Sequence, residues 1–214
     1  MLICGVDEAG RGPVIGPMVF AAVVIERKHE SRLKKLGVTD SKLLDPETRI
    51  KLSHKIRKLA VEHALLSLSA ADITEWMKSA SLNEIEAIKT AELLDSLNIT
   101  PDVCYVDCPD TIPARYCMNI SNLCKKPVRI VAEHKADLNY CITGAASILA
   151  KVARDAAIAE LAKEHGELGT GYPSDPVTQR WLDGHWKKNR SFPDIVRKKW
   201  STVDRRAQLR LTDW

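Results

Sequence analysis

Two apolar runs rich in β-branched residues, Leu2–Val6 and Val103–Val106, are each followed at once by an aspartate, Asp7 and Asp107. Such runs read as short core strands, and acids at the ends of neighbouring strands lie where open α/β sheets place their ligands. The first run continues as VDEAGRGPVIGP over residues 6–17, which sets Glu8 beside Asp7 and follows both with Gly10, Arg11, Gly12 and Pro13. Asp and Gly are ordinary turn residues, so a polar turn accounts for any one of them. It accounts less well for two acids held beside a cation and two glycines.

The rest of the chain supplies a sheet for those strands. Val19–Ile25, Val61–Leu68 and Val128–Val131 read as further strands, the first joined to Leu2–Val6 through the Gly/Pro-rich turn. Asp45-Pro46-Glu47 caps a helix carrying Ile50, His54, Ile56 and Leu59, and Ser81-Leu82-Asn83-Glu84 is a capping box opening a second. A long Ala- and Leu-rich helix is expected from Leu138 to about Glu164. Strands first, then strands alternating with helices, indicate a mixed α/β sheet. We expect a catalytic body over residues 1–176 and a basic helical extension over 177–214, packed on the same domain.

Bulk properties exclude several classes. With 214 residues, 45% of them hydrophobic and 28% charged, the chain is of globular type and long enough to bury a sizeable core. Its longest apolar stretch, Gly12–Ile25, is broken by Pro13, Gly16 and Pro17 and is shorter than the ~20 residues of a membrane helix. No basic segment precedes an apolar one at the start, so no signal peptide or membrane partner is expected and the expected location is cytoplasmic. Of six cysteines, only Cys104 and Cys108 form a tight pair, so buried reduced thiols fit better than a zinc site. The net charge of +4 is unevenly spread: residues 180–214 carry ten Lys and Arg against four Asp and Glu, leaving 22 and 24 for the rest. That tail, with Trp181, Trp186 and Trp200 interleaved, reads either as a nucleic-acid-facing surface or as an amphipathic helix with a solvated basic face.

If the strands ending on Asp7 and Asp107 are neighbours, the two carboxylates converge at one sheet edge, with Glu8 next to the first. Asp137, after His134-Lys135-Ala136, stands at the start of the long helix, where it could equally be an N-cap. Acids gathered without compensation raise one another's pKa, so such a cluster calls for cations. Hard oxygen ligands favour Mg²⁺ or Mn²⁺, and two such ions close together are the machinery of phosphodiester hydrolysis.

DEAGRGP at 7–13, DSK at 40–42, Asp107, KADxxY at 135–140 running into AASILAKVARD at 145–155, and GTGYPSDP at 169–176 together resemble ribonuclease HII, the type 2 ribonuclease H, of archaeal type. The resemblance implies a ribonuclease H-like mixed sheet flanked by helices, with a helical C-terminal extension. It implies Asp7, Glu8, Asp107 and Asp137 as catalytic, metal-holding acids for two Mg²⁺ or Mn²⁺ ions. The expected reaction is endonucleolytic cleavage of the RNA strand of RNA–DNA hybrids, and of DNA at a single embedded ribonucleotide, on its 5′ side. The expected ends are a 3′-hydroxyl and a 5′-phosphate, and the setting is ribonucleotide removal and primer processing in replication. Gly10 and Gly12 would let backbone approach a 2′-hydroxyl, Arg11 would put charge near the scissile backbone, and Tyr172 would set its ring on the next sugar. Lys42 either contacts a substrate phosphate or is a solvated loop lysine.

Another two-metal nuclease or strand transferase of the same fold would share the acids but would not need the GRG and Gly-Tyr-Pro stretches. A non-catalytic nucleic-acid-binding module would not need the acids. Finally, Gln208, Leu211 and Trp214 in the closing QLRLTDW resemble the motif by which archaeal and eukaryotic replication proteins bind the sliding clamp. Spacings of three and six put Leu211 and Trp214 on one helical face, suited to a groove.

Overall fold

The structure is a computed structural model that describes residues 1–38 and 44–208, the side chains of residues 207 and 208 excepted. In chain order it contains β1 (Leu2–Ala9), β2 (Met18–Glu26), α1 (Glu30–Lys35), α2 (Pro46–Leu59), β3 (Glu62–Leu68), α3 (Ala70–Trp76) and α4 (Leu82–Ser96). Then follow β4 (Val103–Asp107), α5 (Pro113–Leu123), β5 (Arg129–Glu133), α6 (Ala136–Asn139), α7 (Cys141–His165), α8 (Pro176–Asn189) and α9 (Ser201–Gln208). Local chemistry sets several boundaries. The Asp45 side chain accepts from Thr48 N ahead of Pro46 in α2, and Ser69 with Asp72 and Ser81 with Glu84 close full capping boxes on α3 and α4.

The described residues form two compact units. The first comprises Met1–Ala9, Val19–Leu66 and Ser81–Ala153, and the second Gly10–Met18, Ser67–Ala80 and the described part of Arg154–Trp214. The first is built on a mixed five-stranded sheet of order β3-β2-β1-β4-β5. β1 runs antiparallel to β2, with Leu2 opposite Glu26 and Ala9 opposite Val19. It runs parallel to β4, with Val6 opposite Val106, and β4 runs parallel to β5, with Asp107 opposite Glu133.

One sheet face carries Ile3, Val23, Ile25 and Val103, packed against Leu52 and Ile56 of α2 and Ile142, Ala146 and Leu149 of α7. Each fully buried Leu or Ile contributes about 1.5–3 kcal/mol to the unit's stability. α7 lies flush on β1 at Gly5: a Cβ there would stand 2.3 Å from the carbonyl carbon and oxygen of Ile142. α5 packs against α4 and β5 and buries Tyr116 and Ile120.

The second unit has its own core of Val14, Ile15, Leu168, Leu182, Phe192, Val196 and Val203. Trp181, Trp186 and Trp200 pack against it, whereas Lys187, Lys188, Lys198 and Lys199 are exposed. The tail's tryptophans are thus partly buried in packing while its lysines face solvent.

Two boundaries differ from the sequence expectation. β1 does not end at Asp7 but continues through Glu8 to Ala9, because β2 still pairs with it there. The long helix starts at Cys141 and not at Leu138, since Tyr140 is extended (φ −122°, ψ 112°) and interrupts it. Tyr140 is held out of the helix by stacking on Tyr105, centroids 4.1 Å apart, and by donating its hydroxyl to Glu133 at 2.6 Å.

Candidate active site

The expected acids gather at one end of the parallel strands: Asp7 feels the charges of Asp107 and Asp137, and Glu8 acts with Asp107 on the Cys108 thiol. Asp7 lies on β1 on the same side as Gly5, so its side chain turns toward α7, where the Ser147 hydroxyl hydrogen-bonds to it. Asp7 Oδ1 also accepts from the Glu8 amide at 2.7 Å. Asp107 closes β4, beside β1, and its Oδ1 accepts from the Ala136 amide at 2.8 Å. Asp137 is the second residue of α6, a single turn entered through Lys135 in the left-handed region (φ 57°). Its Oδ1 accepts from the Leu138 amide at 3.1 Å. It is therefore not the N-cap of the long helix; the left-handed Lys135 holds that place for its own short turn. Each aspartate is thus oriented by one backbone N–H.

Their electrostatics are mutually unfavourable. Asp7 is buried, and burial first, then the charges of Asp107 and Asp137, push its pKa up to about 8 against the opposing pull of Ser147 and the Glu8 amide. Glu8, one residue on, alternates away from Asp7 along β1 toward Tyr116, yet its charge and that of Asp107 both push up the Cys108 thiol, so it stays at the same end of the strands. Burial, with Glu8 and Glu86 as the nearest charges, holds the Tyr116 hydroxyl well above its ordinary pKa. Among the described residues, no three acidic, histidine or cysteine side chains stand in a ready-made ligand arrangement.

Gly10, Gly12 and Tyr172 come together in the second unit. Gly10 has φ +90°, and a Cβ on it would meet Arg154 Nε at 2.5 Å, so only glycine fits. Gly12 is exposed, and a Cβ there would lie 3.5 Å from Cε1 of Tyr172. Arg197, fully buried, donates from Nε to Gly16 O at 3.0 Å, from Nη1 to Arg11 O at 3.0 Å and from Nη2 to Gly10 O at 2.6 Å. Trp200 donates from Nε1 to Gly12 O at 3.1 Å. The Tyr172 ring lies 5.5 Å from the Arg154 guanidinium, which donates to Thr170 O at 3.1 Å. Asp175 accepts from Thr170 N at 2.6 Å, Thr170 Oγ1 at 2.7 Å and Val177 N at 2.9 Å, and these bonds hold its pKa down to about 2. Gly171 O accepts from Val14 N at 2.8 Å, joining the Tyr172 loop to the glycine loop.

Sequence reasoning missed Ser147, Arg154 and Arg197, and read Trp200 only as one of the tail's tryptophans. The first two sit seven residues apart in AASILAKVARD, a helical spacing that put them on one face; nothing local marked Arg197. Lys42, Leu211, Trp214 and the side chain of Gln208 lie outside the described residues.

No helix among the described residues is long and apolar enough to cross a membrane. The sequence model for Ribonuclease HII matches residues 4–203. Ribonuclease HII of Pyrococcus furiosus is 45% identical over 203 residues, 95% of this chain and 90% of that one. The crystal structure of the ribonuclease H2 from Pyrococcus horikoshii OT3 superposes with a TM-score of 0.92 at 44% identity, over 98% of each chain. The ribonuclease HII fold in a PCNA:RNase HII complex from Archaeoglobus fulgidus matches with a TM-score of 0.86 at 40% identity, over 94% of this chain and 95% of that one. Aspartates on parallel strands of a mixed sheet, in a chain alike to these over nearly its full length, leave one assignment: it belongs to the ribonuclease HII family, the type 2 ribonucleases H, and has their ribonuclease H-like fold.

Proposed function

We propose that the chain is a Mg²⁺- or Mn²⁺-dependent endonuclease that cuts the RNA strand of RNA–DNA hybrids and duplex DNA at single ribonucleotides. Cleavage falls on the 5′ side of the ribonucleotide and leaves a 3′-hydroxyl and a 5′-phosphate. The observation that carries this reading is the buried Asp7 held against its charged form by burial, Asp107 and Asp137. A divalent cation offsets both disadvantages, and carboxylate oxygens are hard donors suited to Mg²⁺ or Mn²⁺. Asp7, Asp107, Asp137 and Glu8 would hold it. When bound, it supplies Lewis-acid stabilisation of the charge that develops on the attacked phosphate. The protein's part is to orient the carboxylates, through the backbone amides of Glu8, Ala136 and Leu138, and to place the substrate.

Substrate choice falls to the glycine loop. Gly10 and Gly12 present backbone where a side chain would block approach, which suits contact with the 2′-hydroxyl that separates RNA from DNA. Tyr172, beside Gly12, offers its ring to the neighbouring sugar. Arg11 and Lys42 contribute charge to phosphates. Gln208, Leu211 and Trp214 form a tether to a sliding clamp, a role supported by the Archaeoglobus fulgidus complex.

The test is cleavage, with Mg²⁺ present, of three labelled duplexes: all DNA, an RNA–DNA hybrid, and DNA with one ribonucleotide. The second and third should be cut and the first left whole. Comparable cutting of the all-DNA duplex would refute the reading.

A further inference from the structure

We infer that Arg197 and Trp200 are positioning residues for ribonucleotide selection: they fix the peptide planes of Gly10–Gly12 so that their amides face the substrate. The inference rests on the proposed reading of that loop as the part that meets the 2′-hydroxyl.

In a trans peptide, C=O and N–H point in opposite directions across one rigid plane. Arg197 draws Gly10 O and Arg11 O toward itself, at 2.6 and 3.0 Å, from a position without solvent exposure. The N–H groups sharing those planes belong to Arg11 and Gly12, and they are thereby aimed away from Arg197. Trp200 Nε1 draws back the next carbonyl, Gly12 O, at 3.1 Å, and the plane beyond it has no N–H because Pro13 follows. The outcome is two adjacent amide donors turned outward and a third plane with none, a pattern suited to one small acceptor such as a sugar hydroxyl.

The donor chemistry fits Arg at this place. Its planar fork reaches three diverging carbonyls at once, Gly16 O included, whereas the single ammonium of Lys cannot. Trp200 in turn holds the fork, its ring centroid 4.9 Å from the guanidinium carbon. Gly10 closes the arrangement from the other side, where Arg154 leaves no room for a Cβ. A basic residue near the C-terminal end, counted with the tail's charge in the sequence, thus gives three hydrogen bonds to backbone 181–187 positions earlier.

The test uses the full chain with Mg²⁺, comparing wild type with Trp200→Phe, which keeps the packing, and Arg197→Lys, which keeps the charge. Hydrogen exchange over residues 10–16 should be at least about fivefold faster in both variants. The kcat for DNA with one ribonucleotide should fall roughly tenfold while KM moves less than about twofold, because phosphate contacts carry affinity and the loop carries alignment. Trp200→Phe keeps the test decisive if Arg197→Lys folds poorly. Unchanged loop exchange in Trp200→Phe, or faster exchange with an unaltered kcat, would overturn the inference. Wild type that cuts all-DNA duplex as well as the ribonucleotide duplex would instead defeat the reading of the loop, and that result is visible before any variant is made.

Discussion

Asp7→Asn should stabilise the cation-free protein while ending hydrolysis. With its folded pKa near 8 against an ordinary 3.8, Asp7 favours the unfolded, ionised chain at neutral pH. At about 1.36 kcal/mol per unit, the penalty at pH 7 reaches at most about 4 kcal/mol. Asn retains an acceptor for the Glu8 amide, can pair its new NH2 with the Ser147 oxygen in place of the bond Ser147 donates to the carboxylate, and loses the repulsion from Asp107 and Asp137 but not the burial of a polar group. A net gain of roughly 1–2 kcal/mol, or about 2–8 °C in Tm for a chain of this size, is the expectation. The sign also fixes the pH dependence. Because the folded pKa is raised, the wild type without cations loses stability as pH climbs from about 4 to about 8, and Asp7→Asn lacks that slope. Melting in EDTA at about pH 5 and about pH 8 reads both effects, and adding Mg²⁺ should narrow the gap by stabilising the wild type. Cleavage should fall at least about 100-fold, some 2.7 kcal/mol of transition-state stabilisation. An Asn variant that melts below wild type in EDTA, or melting curves that move together with pH, would refute the electrostatic argument.

Asp175→Ala should destabilise the Tyr172 loop at neutral pH. Since hydrogen bonds hold the Asp175 pKa down to about 2, the difference from wild type should be present above about pH 4 and vanish as pH falls toward 2, as read by melting. Tyr172→Ala should reduce cutting at a single ribonucleotide by about tenfold or more while duplex affinity, measured by fluorescence anisotropy, changes less. A chain ending at Ala207 should lose affinity for its cognate sliding clamp in a binding titration and keep its clamp-free cleavage rate; equal clamp affinity would remove the tether from the proposed function.

Much of the first unit was legible because its signals are local. The runs before Asp7 and Asp107 are short, apolar and β-branched as core strands are, and the capping box at Ser81 fixes its helix to the residue. Where reading failed, the deciding partner was distant in sequence. Tyr140 breaks the expected helix because Tyr105 and Glu133 claim its side chain, so Asp137 sits on a separate turn. α5 begins at Pro113 behind Ile112, whose side chain makes no cap, so Pro was its one start signal. The capping box of α3, Ser69-x-x-Asp72, closes with the shorter Asp where Glu or Gln is usual, which weakens its signal. Arg197 bonds to carbonyls some 180 residues away, and no periodicity or motif encodes that pairing.

Gly5 carries no functional atom, yet it sets the clearance between the layer that bears Asp7 and the layer that bears Ser147. With Ile142 backbone 2.3 Å from where a Cβ would be, one added methyl has nowhere to go, and α7 must lift from β1. A lift of even ~1 Å would draw a hydrogen bond of ordinary length beyond its useful range. The carboxylate that most needs a partner would then lose the hydroxyl that holds it, through a change two residues away and buried from any substrate. The gauge of this active centre is therefore written in a missing side chain: the tolerance of the chemistry is a property of the layer spacing, and an enzyme of this kind could be silenced without touching a single acid.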